Sequence, residues 1–264
     1  QMCCINVQCV SVSVGGMVIQ GKGCARGHED SEAKEANVSR SATHVKGRNK
    51  CENRFEKYQD NHKGKCFYAN GRSLVNRVKM AELEMYIKNE CPDIIGLTET
   101  WASDKISNEE LKLVGYDMFR KDREMESTDK HKGGGVLLYV KHKWNAVQRE
   151  DLNNENFKES IWCEKKKKNG KLLIGVCYRT PNANEEVDKG LYELITRSNK
   201  ESVIIMGDFN FHVNWNTLEG ETRKDRQFMQ VIEDEFLSQL IKEPTRGGNT
   251  LDLLLTSDKD LIDK

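Results

Sequence analysis

The sequence predicts an α/β fold in which two β-sheets pack face to face with helices on their outer sides. Three observations carry this expectation. From Lys65 onward short apolar runs bounded by turn residues recur, amphipathic stretches of helical spacing are inserted between them, and two such runs flank Asn169-Gly170, a strong hairpin signal. The 264 residues are enough to bury a full two-layer core.

Residues 1–64 hold five of the nine cysteines and then a polar stretch from Gly21 with scant apolar periodicity, which reads as a disordered leader unrelated to a domain at 65–264. A short strand starts at Cys66–Tyr68. A helix is expected over Leu74–Asn89, with Leu74, Val78, Ala81 and Met85 on one side and Pro92 ending it. Asp93–Thr98 and Val136–Val140 are nearly continuous apolar runs, as strands buried on both faces would be. Ser160–Lys166 and Lys171–Tyr178 should pair as the hairpin. Glu185–Arg197 reads as a helix, Val203–Met206 as a buried strand, Arg226–Leu240 as a helix presenting Phe228, Val231, Ile232, Phe236 and Leu240, and Thr250–Thr256 as the last strand. No internal repeat is visible, which argues against solenoids and propellers.

Composition excludes several classes of function. No stretch approaches the roughly 20 apolar residues that a membrane span needs, and mean hydropathy is −0.73. Lys plus Arg, at 42, equals Asp plus Glu, also 42, so any polyanion must be held by a local patch or a metal rather than by bulk charge. The cysteines include no C-x-x-C pair, and no secretory signal opens the chain, so a reducing nuclear or cytoplasmic compartment is expected. The first residue is Gln, which suggests a fragment.

The chemistry lies where apolar strands end in polar residues. The first strand runs out in Asn70, the second in Glu99, the hairpin in Tyr178-Arg179, and Val203–Met206 in Gly207-Asp208-Phe209-Asn210; Asp252 sits inside an apolar run, where an unpartnered carboxylate is costly. Oxygen ligands of this kind suit Mg²⁺, or Mn²⁺ in its place, which keeps most of its waters and borrows oxygens from a phosphate. Phosphodiester hydrolysis is a natural chemistry for such a set, with the metal offsetting charge and a carboxylate activating water.

Six motifs carry a resemblance. Tyr68-x-Asn70, Gly96–Trp101 (GLTETW), Lys132–Val140 (KGGGVLLYV), Cys177–Asn182 (CYRTPN), Met206–Phe211 (MGDFNF) and Glu243–Thr256 (EPTRG…TLDLLLT) resemble, in order, the endonuclease domain of LINE-like non-LTR retrotransposons, within the endonuclease/exonuclease/phosphatase superfamily. The resemblance implies a DNase I-like two-sheet sandwich and Mg²⁺-dependent nicking of DNA that primes reverse transcription. It implies Glu99 and Asn70 at the metal, Asp208 positioning the nucleophilic water, and Tyr178 and Asn210 at the scissile phosphate. Asp252 would orient a catalytic histidine. Arg179 and Asn182 are candidate contacts to the DNA backbone.

The family's terminal Ser-Asp-His is missing: Ser257-Asp258-Lys259 comes too early and carries Lys in place of His. A lost last strand, and a weak or inactive nuclease, are therefore expected. A reverse transcriptase domain normally follows in such elements, and no polymerase motif is present here. Two alternatives stand beside this reading: a non-catalytic, domesticated or decayed remnant that binds nucleic acid or protein, and a superfamily phosphoesterase acting on another substrate. Lys165–Lys168 reads as a solvated hairpin tip, and His212 as a loop residue rather than a general base.

Overall fold

The computed structural model describes residues 6–8, 65–123, 133–168 and 170–258. All but three residues of the expected leader, the turn residue Asn169, Lys132, Lys259 and the residues after it lie outside the described residues.

Two large sheets form the body. One has the order β1 (Asn6–Gln8), β2 (Cys66–Asn70), β3 (Ile94–Thr98), β5 (Val136–Lys141), β4 (Tyr116–Lys121). The other runs β12 (Ser238–Gln239), β13 (Asp252–Thr256), β9 (Ser202–Asp208), β8 (Gly170–Tyr178), β7 (Ser160–Lys167), β6 (Val147–Gln148), and a small ribbon pairs β10 (Val213–Asn214) with β11 (Glu219–Gly220). Neighbours are antiparallel except β2 with β3 and β8 with β9. Those two pairs are joined through the helices α1 (Arg77–Glu90) and α3 (Glu185–Ser198), as a parallel pair requires a crossover. The short α2 (Asn108–Leu111) and α4 (Arg223–Asp234) complete the α-helices among the described residues.

The apolar runs are continuous because each central strand is covered on both faces. Ile94, Val136, Leu138, Ile204, Met206 and Leu254 point into the core between the sheets. Their alternates divide by sheet. Ile95, Leu97, Leu137 and Tyr139 pack outward with α1 residues Leu83 and Ile87, and Val203, Ile205, Leu253 and Leu255 pack outward with Leu191, Leu194, Phe228 and Ile232 of α3 and α4. The result is a helix–sheet–sheet–helix sandwich, as the sequence predicts.

Three details differ from expectation. Asn76 caps α1 by accepting from the Val78 N–H at 2.9 Å, so the helix starts at Arg77, and Lys79 turns inward to donate to the carbonyls of Gly71 and Arg72. That rotation leaves Val78 and Met85 more than half exposed, while Leu83 and Ile87 are buried and Leu74 packs from the preceding turn. At the other end of the chain, α4 stops at Asp234 and Phe236 takes a left-handed conformation with its ring exposed, which frees Leu240 to follow the edge strand β12. β4 escapes the pattern because it is largely half-buried and its charges interleave with apolar residues.

Asp93 fastens the start of β3. It accepts from the Lys65 N–H at 2.9 Å and pairs with Lys141 at 3.1 Å and Lys143 at 2.8 Å. Burial pushes its carboxyl up, but Lys141, Lys143 and the Lys65 amide outweigh burial and hold it below the ordinary carboxylate range. A depressed carboxyl contributes stability above its unfolded pKa, and that contribution is lost as pH falls through the folded value. Asp93→Asn is therefore expected to cost roughly 2 kcal/mol at pH 7 and progressively less as pH falls below about 4, so less near pH 3, as read by urea unfolding. An equal loss at both values would show that the ion pairs are not the cause.

Candidate active site

Strand polarity brings the polar ends together. β2 and β3 are parallel with Asn70 beside Thr98, so Asn70 and Glu99 emerge on one rim. β8 and β9 are parallel with Tyr178 beside Asp208, and antiparallel β13 starts with Asp252 opposite Asp208. Five strand ends from the two facing sheets thus open on one hollow.

The side chains interlock there. Asn70 donates its amide nitrogen to Asp208 Oδ2 at 2.9 Å and to Glu99 Oε1 at 3.3 Å. The Tyr178 hydroxyl donates to Glu99 Oε1 at 3.0 Å, and Trp101 Nε1 reaches Glu99 Oε2 at 3.4 Å. Beneath them, the buried Tyr68 hydroxyl donates to Asp252 Oδ1 at 3.1 Å and lies 2.7 Å from Thr98 Oγ1. Thr245 Oγ1 accepts from the backbone N–H of Asp252 at 3.1 Å. Arg246 closes the ring, with Nη2 on Asp208 Oδ2 at 2.9 Å and Nη1 on Asn210 Oδ1 at 3.4 Å. Glu99, Trp101 and Asn210 all take positive φ, near 50–58°. For residues with a Cβ this costs about 1 kcal/mol each, and such strain gathers at functional sites.

The electrostatics follow from burial. Loss of water first, and the neighbouring Asp252 second, push Asp208 up to about 7 against the pull of Arg246 and Asn70. Burial also raises Asp252. The Tyr178 phenol is pushed up by burial and then by the charge of Glu99, so it remains a hydrogen-bond donor at neutral pH. Burial lowers the Arg246 guanidinium, but Asp208, then Asp252 and Glu99, more than offset this.

Residues 172–264 match the family described as endonuclease-reverse transcriptase. Among solved structures, the endonuclease domain of TRAS1, a telomere-specific non-LTR retrotransposon, aligns at 16% identity over 73% of this chain and 84% of that one, with a TM-score of 0.52. The chain has the endonuclease/exonuclease/phosphatase fold. The AP endonuclease LMAP from Leishmania major shares the endonuclease/exonuclease/phosphatase fold at 12% identity over 72% of this chain and 78% of that one, TM-score 0.56. So does the 3′-5′ exonuclease NExo from Neisseria meningitidis, at 14% identity over 72% and 85%, TM-score 0.51. No curated protein sequence matches the chain.

Within this endonuclease/exonuclease/phosphatase fold the structure unites Asn70, Glu99, Tyr178, Asp208, Asn210 and Asp252, and its hydrogen bonds bear on three expected roles. Asn70 turns its nitrogen rather than its oxygen toward the carboxylates, because an amide between two acids satisfies both only as a donor, and it bridges them. Asn210 spends its amide nitrogen on the Arg179 carbonyl at 2.7 Å, and its side-chain oxygen accepts from Arg246 at 3.4 Å. Arg179 is 3% exposed. Its guanidinium is held by Asp188 at 2.6 and 3.2 Å and by the Phe209 and Asn210 carbonyls, and it lies over the Phe211 ring. It braces the Asp208–Asn210 turn from behind and is sealed from solvent. Asn182 is exposed in the following turn.

Four contributors escaped sequence reasoning as individuals: Arg246, Thr245, Trp101 and Arg123. The first three fall inside quoted motifs. Arg123 lies over the Tyr178 ring at 5.7 Å, gripped by Glu159 at 2.9 and 2.7 Å, and nothing in the sequence around it singles it out.

Among the described residues no group of three His, Cys, Asp or Glu side chains is placed to hold a metal by itself. The donors nonetheless fit a cation that needs few protein ligands. Glu99 is a carboxylate on the rim, and Asp208 Oδ1 is a buried oxygen with no hydrogen-bond partner. An all-oxygen pair of this kind, completed by waters and phosphate oxygens, suits Mg²⁺ or Mn²⁺.

Proposed function

We propose that the domain is a divalent-cation-dependent phosphodiesterase that nicks DNA, of the type that primes reverse transcription in non-LTR retrotransposons. The observation that supports this most is the convergence of Asn70, Glu99, Tyr178, Asp208 and Asp252, from five strand ends in two sheets, onto one hydrogen-bonded hollow. A structural role needs no such gathering of buried acids.

Each residue has a part that its geometry allows. Glu99, with Asp208 Oδ1, would hold Mg²⁺ or Mn²⁺, which when bound offsets negative charge on the phosphate oxygens. Asp208, through the Oδ2 that Asn70 and Arg246 address, is suited to orient the attacking water and accept its proton. Tyr178 keeps its proton and can donate to a phosphate oxygen once Glu99 is engaged elsewhere. Asn70 fixes the spacing of the two acids, and the Tyr68–Asp252 bond anchors the floor. Among the described residues the Asp252 carboxylate is held by the hydroxyls of Tyr68 and Thr245. A downstream reverse transcriptase remains part of the proposal.

The test is relaxation of supercoiled plasmid in Mg²⁺, wild type against Glu99→Ala. Wild-type nicking that EDTA abolishes, and that falls about 10²-fold or more in the variant, is the expected result. Equal activity in both proteins would remove the catalytic assignment in favour of a binding remnant. Release of phosphate from small phosphoesters with plasmid left intact would move the substrate away from DNA.

A further inference from the structure

We infer that Arg246 is a two-position residue of this site: counter-ion of Asp208 before the divalent cation arrives, and ligand of the scissile phosphate once the cation has taken its place. The inference rests on the phosphodiesterase reading and adds a residue to it.

Four observations converge. The first is charge. Glu99, Asp208 and Asp252 surround the hollow, and an acidic hollow repels a phosphodiester unless cations line it; Arg246 is a guanidinium in direct contact with these groups, 2.9 Å from Asp208 and 3.4 Å from Asn210. The second is incomplete bonding. Arg246 Nε is a buried donor with no partner, and Asp208 Oδ1 is a buried acceptor with none, although the two residues already touch. Each orphan is costly, and a phosphate oxygen and a cation would satisfy one apiece. The third is access. The Arg246 side chain is 31% exposed while Asp208 is fully buried, so an incoming phosphate meets the guanidinium before it meets the acid. The fourth is the mount. Arg246 pairs with Asn249 across a tight turn whose tip is Gly247-Gly248, both at positive φ with open space around them. The backbone is pinned by that bridge, and the side chain is left to change partners.

The guanidinium fork suits this task, because it can grip two phosphate oxygens at once, whereas lysine supplies only a point charge. Removing Arg246 should have opposite effects on the two ligands: the acids, freed of their counter-ion, should bind a cation more tightly, and the site should bind DNA less tightly.

The experiment measures both ligands directly on wild type, Arg246→Gln and Arg246→Lys. Mn²⁺ binding is followed by the EPR signal of free Mn²⁺. Binding of a short fluorescent duplex is followed by anisotropy in Ca²⁺, and thermal melting checks that each variant folds. In Arg246→Gln, Mn²⁺ affinity is expected to rise roughly tenfold and duplex affinity to fall by a similar factor, with Arg246→Lys between it and wild type. Unchanged or weaker Mn²⁺ binding overturns the inference, as does unchanged duplex binding, since a mere brace for the turn would move the melting temperature and neither affinity in these directions. If neither wild type nor Arg246→Gln binds Mn²⁺, the metal-dependent reading itself falls. If wild type binds Mn²⁺ and Arg246→Gln binds it equally, only the role of Arg246 falls.

Discussion

Asp208→Asn is expected to reduce plasmid nicking by about 10²- to 10³-fold while making the metal-free protein more stable at pH 8 relative to pH 5 than wild type is. Activity falls because the buried carboxylate that Asn70 and Arg246 both address is the group suited to take a proton from water. The stability effect follows from linkage. Asp208 has a folded pKa raised to about 7 by burial and by Asp252, so the folded chain holds a proton that the unfolded chain releases near pH 4. Wild type therefore loses stability as pH rises from about 4 to about 7. The amide does not titrate, and that slope should flatten. Thermal melts in EDTA between pH 5 and pH 8, set beside the nicking rate, measure both. A variant that nicks like wild type, or that keeps the full wild-type slope, contradicts the assignment of Asp208 as the strained acid of the site.

Gly207→Ala should prevent or cripple folding. A Cβ built on Gly207 would lie 1.9 Å from the carbonyl oxygen of Cys177, a backbone atom of the paired strand β8. No rotamer relieves a clash between a Cβ and backbone, so β8 and β9 would have to separate at the register that sets Tyr178 beside Asp208. Overpacking of this kind costs about 3 kcal/mol or more, a large part of a domain's stability. The expected result is insoluble protein, or a melting temperature at least about 6 °C lower. Gly96→Ala provides the contrast, because its Cβ meets the flexible Met206 side chain, with the sulfur at 2.4 Å, and that chain can move aside. If Gly207→Ala melts like wild type, the close approach of these strands is not a constraint on the fold.

The sequence alone determined the strands of both sheets' centres, because runs such as Ile94–Thr98 and Val203–Met206 are nearly continuous in apolar residues, as strands covered on both faces are. It also determined most of the candidate site, since an apolar run that ends in Glu99, Tyr178 or Asp208 shows a break in polarity without any coordinates. What it left open were properties of partners rather than of residues. Whether Leu83 or Met85 of α1 turns inward depends on where Asn76 caps the helix and on what Lys79 reaches. Arg179 and Arg246 are both arginines after motif residues, alike in sequence; one is sealed against Asp188 behind the turn and the other faces Asp208 in the hollow. Only tertiary structure decided between them, because a guanidinium's role is set by the charges that packing places around it, and those charges come from strands far apart in the chain.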